Sequence, residues 1–469
     1  MNVMTSFRTE KDSLGSKKIP ASMYYGIQTQ RAIENFSITD IPLSIDPEMV
    51  ISLAMVKKAC ALTNRDLNCL SEAKAEAIGQ ACDEIIAGKH HEHFAVDVIQ
   101  GGAGTSANMN ANEVIANRAL EIMGHKKGEY VYLHPNNDVN CSQSTNDVYP
   151  TALRLALFQK AKVLIAAINQ LKQSFSRKSD EFKDIYKIGR TQLQDAVPMT
   201  LGMEFGAFAT AIAEDAHQLD HTANLLLDIN LGATAIGTGI NTPAGYCNRA
   251  IHHLSEVSQL PVRLAENLVE ATWDTGDFVQ LSGTLKRFAT KISKICNDLR
   301  LLSSGPLCGL GEINLPKMQP GSSIMPGKVN PVIPEVMNQI AYDVIGKDVT
   351  VAMASESGQL QLNAFEPVIA NCLFLSLAML TRGSDILRNR CIDGITANPK
   401  KCNELLQSSV GIVTALNPIL GYETTSALAQ QAITEGRSIK SLLMEQNILP
   451  ADIIDDLLQK TITAQTANP

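Results

Sequence analysis

The sequence predicts an all-α protein, and three observations carry that expectation. Hydrophobic residues make up 45% of the 469-residue chain and aromatics only 5%. Ala and Leu are abundant, a composition that favours helix over sheet. Phe278, Leu281, Leu285, Phe288, Ile292, Ile295, Leu299 and Leu302 recur at alternating spacings of three and four without a miss. That is a heptad seam, which needs a partner helix. Two further runs keep helical spacing. One places Leu153, Leu157, Ala161, Leu164, Ile168, Leu171 and Phe175 on a single face. The other, from Met199 to about Leu226, is apolar over much of its surface. Helices apolar beyond one stripe are usually buried all round. A bundle built from several subunits is therefore expected, with a large bundle inside one chain as the alternative that periodicity leaves open.

Along the chain, the first forty residues show little periodicity and read as an arm followed by a short loop region. Helical patterning begins near Asp46 and predicts helices over Pro47–Leu67 and Ala73–Ala87. A Gly-rich break at Gly101–Gly104 precedes a run through Ala119. Between the second and third long runs lies Gly232-Ala-Thr-Ala-Ile-Gly237-Thr-Gly239. It is not a nucleotide loop, since no Lys-Ser/Thr follows and no strand pattern precedes it. Gly305-Pro306 ends the heptad seam. After Asn398 the pattern restarts as short amphipathic helices, a small C-terminal domain. A chain of this length can hold two or three domains.

Composition excludes several classes. The net charge of −8 and the lack of a basic block argue against a nucleic-acid partner. Ten scattered cysteines include no CxxC pair, so a disulfide framework is not expected. The N-terminus lacks the apolar core of a secretory signal. No uninterrupted apolar stretch is long enough to span a membrane. A reduced, cytoplasmic setting is the simplest expectation. Lys89-His-His-Glu-His-Phe94 is the single His cluster. Without supporting Cys or carboxylate spacing it reads as an exposed turn, and no metal site is assigned.

Four polar segments interrupt the helices: 101–113 (GGAGTSANMNANE), 134–147 (HPNNDVNCSQSTND), 189–195 (GRTQLQD) and 321–331 (GSSIMPGKVNP). Each carries hydroxyls or amides close to an expected helix start. Such residues are the normal N-caps, and any one segment alone is best read that way. Free N–H groups and the dipole at helix N-termini also bind anions, and together the four make a donor-rich pocket for a small polyanion. In the last, Gly321 and Gly327 open backbone angles closed to other residues, and Pro326 and Pro331 forbid a continuous helix. It is a loop in which Lys328 and Asn330 are near enough to grip an anion.

These four strings, in this order and over essentially the whole chain, resemble the aspartase/fumarase superfamily of lyases. Tyr24-Tyr25-Gly26, Arg31 to Phe36, and Cys296 to Gly305 lean toward its aspartase branch. The resemblance implies an almost wholly helical, three-domain subunit with a long central helical bundle. The divisions are 1–143, 144–398 (with the signature loop 321–331) and 399–469. It also implies a homotetramer whose active sites are each shared by three subunits. The implied reaction is reversible deamination of L-aspartate to fumarate and ammonia, with fumarate hydration as the alternative.

Abstraction of a Cβ proton stores charge as an aci-carboxylate, which needs preorganised donors where that charge develops. By resemblance Ser322 is the base, and Thr105, Ser144, Thr145 and Ser323 face that carboxylate. Lys328 and Asn330 hold the other carboxylate, and Thr191, Gln192 and Asn146 lie near the α-carboxylate and amino group. A serine is a weak base and must be activated, by nearby N–H groups and Lys328 once the loop excludes water. Hydratases of the superfamily carry His in GRTH. Gln192 cannot titrate, which suits an ammonium leaving group that is already protonated. His134-Pro135-Asn136 points the other way, since it resembles the HPN of a secondary anion site in fumarases. No organic cofactor is implied, and a divalent cation only as an activator. The expected partner is a small dicarboxylate.

Overall fold

A computed structural model describes residues 6–450, 453–454 and 456–457. The ends of the first and last expected domains, 1–5 and 458–469, lie outside the described residues. The molecule is mostly helical, and its strands are short antiparallel hairpins or two-residue ladders. The chain forms two compact units. One comprises residues 6–165, His217–Arg287 and Tyr342–Leu380, the other Ala166–Ala216, Phe288–Ala341 and the described residues from Thr381 onward.

The first unit opens with a hairpin, Phe7–Asp12 paired antiparallel with Gly15–Pro20, then helix Ile27–Asn35. This replaces the expected arm and loop. Both strands are rich in charge and mostly solvent-facing, so no hydrophobic alternation marks them. Polar pairing holds the hairpin instead: Arg31 donates twice to Asp12, at 2.8 and 2.9 Å. Helices Pro47–Asp66 and Glu72–Ile86 start and stop within a residue of their expected bounds. They pack on each other, Tyr246–Ser258 packs on the first, and Thr105–Ile122 on the second. Glu113 is buried in that layer and accepts N–H groups from Gly26, Gln28 and Thr29 at 2.8–3.1 Å.

The second unit contains the hairpin Tyr186–Thr191/Gln194–Thr200. It also contains a cluster in which Leu406, Ile412, Leu416, Leu428, Ile439 and Leu442 pack with Ile188 of that hairpin. Phe175, Phe182, Phe205 and Phe208 form an aromatic group with centroids 5.2–6.1 Å apart.

Five long helices, Thr145–Glu181, Leu201–Leu225, Gly276–Leu302, Val332–Glu356 and Glu366–Arg390, contribute residues to both units. The seam predicted from Phe278 to Leu302 lies on the third. All eight of its residues are at most 5% exposed in a single chain. Polar bonds to neighbouring helices flank it, from Thr222 to Thr284 at 3.1 Å and from Asn338 to the Ser293 carbonyl at 3.0 Å. The seam's partner is therefore intrachain. A different stripe is exposed. On Val332–Glu356, Val336, Tyr342, Val349 and Met353 stand at 38–66% exposure. With the exposed Gln339 and Gly346 they repeat every three or four residues.

Among the described residues, one helical stretch, Glu366–Gly394, is long and apolar enough by composition to cross a membrane, and 61% of its apolar window is buried inside the molecule. All ten cysteines are free thiols.

Candidate active site

The first unit carries two of the four polar segments. Gly104 ends the Gly-rich break at φ +86°, and a Cβ there would lie 2.4 Å from the Tyr149 ring. Only glycine lets the start of helix Thr105–Ile122 approach Tyr149 so closely. Thr105 is the exposed first residue of that helix, and its hydroxyl donates to the Gly102 carbonyl at 2.7 Å. A cleft of about 560 Å³ opens beside it, lined by Lys11, Gln28, Arg31, Ser106, Tyr130 and Asn136 among others.

The second segment leads into helix Thr145–Glu181. Ser144, Thr145 and Asn146 are half-buried at its start. The Ser144 hydroxyl accepts the Asn146 N–H at 3.2 Å, and Asn108 donates to the Thr145 hydroxyl at 3.1 Å. Asn146 donates to the Ala235 carbonyl at 2.7 Å. Asp147, fully buried, accepts N–H groups from Ser144, Gly232 and Thr234 at 3.0 Å each. The Gly-rich loop of 232–239 is thus tied to the STND segment. Burial pushes the Asp147 carboxyl up to about 6, against those N–H groups and the nearby Lys57 ammonium.

Lys57 escaped the sequence reading. It sits in the apolar run Ala54–Ala61, fully buried, and donates to Asn140 at 2.9 Å and Gln143 at 2.8 Å. Burial lowers it to about 8. Its only local signal was a lysine at a core-facing position of an apolar helix. His134 caps the π-helical turn Pro135–Val139, its Nδ1 accepting from Asn136 at 3.0 Å and Asn137 at 3.3 Å.

The second unit carries the other two segments. Thr191 ends a strand, and Gln192 and Leu193 form a two-residue turn with φ +52° and +63°. That is the twist a tight hairpin requires. Thr191 and Gln192 are exposed at the hairpin tip, and the next helix begins only at Leu201. The expectation that every segment sits at a helix start fails here. The hairpin lacks the Asn-Gly or Asp-Gly signal that would have revealed it. Its first strand is clamped by Glu312, fully buried, which meets Lys187 at 2.7 Å and Arg190 at 2.6 Å.

Residues 321–331 form a loop closed on itself. Gly321 donates its N–H to the Lys328 carbonyl at 2.7 Å, and Asn330 donates its amide to the Gly321 carbonyl at 3.0 Å. A Cβ on Gly321 would meet the Lys328 carbonyl oxygen at 2.8 Å. Within this closed loop the Ser322 Oγ accepts two backbone N–H groups, from Ile324 and Met325, at 3.2 Å each. Ser323 and Lys328 are exposed, and helix Val332–Glu356 follows. The structure therefore brings Thr105, Ser144, Thr145 and Asn146 into one unit, and Thr191, Gln192, Ser322, Ser323, Lys328 and Asn330 into the other.

The family model described as "Lyase" matches residues 15–346, and the one described as "Fumarase C C-terminus" matches 412–461. The aspartate ammonia-lyase of Pseudomonas canavaninivorans is 57% identical over 460 residues, 98% of this chain and 97% of its own. That of Escherichia coli K12 is 53% identical over 453 residues, 96% of this chain and 95% of its own. A crystal structure described as fumarate lyase:delta crystallin from Brucella melitensis in native form superposes with a TM-score of 0.91 at 53% identity. It covers 96% of this chain and 99% of its own. The class II fumarase of Schistosoma mansoni reaches a TM-score of 0.92 at 34% identity, covering 97% and 98%.

Proposed function

The chain belongs to the aspartase/fumarase superfamily of lyases, and from that premise we propose that it is an aspartate ammonia-lyase, interconverting L-aspartate with fumarate and ammonia. Ser322 removes a Cβ proton. The electron pair moves into the β-carboxylate as an aci-carboxylate, then returns to form the C–C double bond as ammonia leaves. The observation that supports Ser322 most is its environment: two N–H groups already point at its oxygen. Oriented amide dipoles are what an alkoxide needs, and they require no reorganisation when charge appears. Lys328, in the same loop, adds a full positive charge.

Thr105, Ser144, Thr145 and Ser323 supply hydroxyl donors to the aci-carboxylate. Lys328 and Asn330 take the other carboxylate, Asn330 by the amide hydrogen not spent on Gly321. Thr191, Gln192 and Asn146 face the amino end. In this reading assembly of copies completes each site. The exposed stripe on Val332–Glu356 supports this: Val336, Tyr342, Val349 and Met353 recur at helical spacing, an apolar face that a partner helix would cover. We assign the assembly as a homotetramer with three subunits at each site. The three-domain division at 143 and 398 is kept as the family resemblance implies it. The reaction needs no electron sink and hence no organic cofactor, and a divalent cation acts only as an activator. The setting is the cytoplasm.

The test is ultraviolet absorbance of the purified protein with L-aspartate, beside a parallel L-malate sample. Fumarate absorbs and neither substrate does. Signal from aspartate alone is expected. Signal from malate alone would mean that His134 outweighs Gln192 and that the protein is a hydratase.

A further inference from the structure

The His cluster at Lys89–Phe94 is not the exposed turn its sequence suggests. Residues His91–His93 form one 3₁₀ turn, entered through His90 at φ +66°. His90 is half-buried, Glu92 exposed, and His93 only 8% exposed. One ring nitrogen from each of His90 and His93 and one Glu92 carboxylate oxygen lie within 4.8 Å of one another. The His93 Nε2 to Glu92 Oε1 separation is 3.4 Å. Two ligands each about 2.0–2.2 Å from a tetrahedral ion stand about that far apart.

Two further features fit a metal site. The Nε2 of His90 is held at 2.9 Å by Glu84, whose carboxylate is in turn fixed by Arg118 at 2.7 and 2.8 Å. A carboxylate behind an imidazole is how proteins set the tautomer and direction of a ligating histidine. It leaves Nδ1 as the remaining donor of that ring. The Tyr24 ring packs against both imidazoles, with centroids 4.7 and 5.0 Å away, and limits their rotation.

We propose that His90, His93 and Glu92 form a binding site for a borderline divalent transition ion of the Zn²⁺ or Ni²⁺ class, with water completing the shell. Two imidazoles and one carboxylate suit such ions, whereas Mg²⁺ and Ca²⁺ select oxygen-rich sites. The site uses none of the residues assigned to the lyase reaction, so it stands whether or not that assignment does.

The test is competitive titration of Zn²⁺ against a chromogenic chelator, using full-length protein stripped of metal. Cys69→Ser and Cys308→Ser form the background, because these two thiols are exposed. One site per chain is expected. His90→Ala and Glu92→Ala should each weaken Zn²⁺ by at least about tenfold, as ligand-shell changes do, while millimolar Mg²⁺ does not displace it. Glu92→Ala is decisive, since its side chain is 72% exposed and its removal cannot unfold the core. Unchanged Zn²⁺ affinity in His90→Ala and Glu92→Ala, or no stoichiometric site in the background protein, overturns the proposal.

Discussion

Ser322→Ala isolates the proposed base. Two N–H groups point at the Ser322 oxygen at 3.2 Å. Hydrogen bonds to a charged group contribute about 1.5–3 kcal/mol each, so the pair stabilises an alkoxide by about 3–6 kcal/mol. A serine hydroxyl ordinarily ionises far above neutrality, so the amides move it down toward neutrality and leave it well above. That is too high for a base near neutrality, so a further stabiliser is needed, a role the proposal gives to Lys328 once the loop closes over substrate and excludes water. Removing the oxygen removes the base itself. General-base contributions run to about 10²–10⁴, and no other titratable group of the loop stands at that position, so kcat should fall by about 10³-fold or more. KM should change little, because substrate-binding groups remain. Lys328→Ala should cost both kcat and KM. The double variant should be little worse than Ser322→Ala, since the two act as a unit. The assay is initial-rate fumarate absorbance, with circular dichroism and sedimentation confirming that each variant folds and assembles. Ser322→Ala retaining turnover within tenfold of the parent would refute the assignment.

Gln192→His should leave the preference for aspartate over malate intact, because an ammonium group needs no acid to leave. Malate formation from fumarate at a rate matching aspartate turnover would contradict this. Gly104→Ala and Gly88→Ala share a strained φ of +86° and +90°, but only the first drives a Cβ into a buried ring, at 2.4 Å. Both should lose about 1–2 kcal/mol to backbone strain, and Gly104→Ala should lose clearly more, read as the difference in melting temperature. Glu366 is buried at a helix start, and burial pushes it up to about 8, with Arg154 opposing. A raised carboxyl contributes its full stability below its unfolded value of about 4.5, and that stability is lost as pH rises toward 8. Glu366→Gln should therefore melt close to the parent near pH 5. It should gain over it as pH rises, by about 3 kcal/mol at pH 7 using about 1.36 kcal/mol per unit. A gap that does not vary with pH would show that Glu366 is ionised in the fold.

Much of the fold was legible because helices are local. The bounds of Pro47–Asp66 and Glu72–Ile86 follow from Asp46-Pro47, from the turn residues between them and from a 3.6-residue period. The heptad of Phe278–Leu302 marked a long packed helix. The two hairpins were missed because neither announces itself locally. Phe7–Pro20 is charged on both faces, and Gln192-Leu193 adopts a left-handed turn without glycine or asparagine.

By itself the sequence determined the helical class, the four polar segments and the family, since each rests on neighbouring residues or on long exact strings. What covers each apolar face was decided by tertiary structure. The heptad seam is satisfied inside the chain, while an apolar stripe on Val332–Glu356 stands exposed. The same holds for charge. Lys57, Asp147 and Glu312 look like ordinary charged residues in the sequence, and only partners distant along the chain reveal them as buried. His90 and His93 likewise gain a ligand geometry only when Tyr24 and Glu84 pack around them. Helical periodicity is set within a few residues, whereas burial, titration and ligand geometry depend on contacts that only folding brings together.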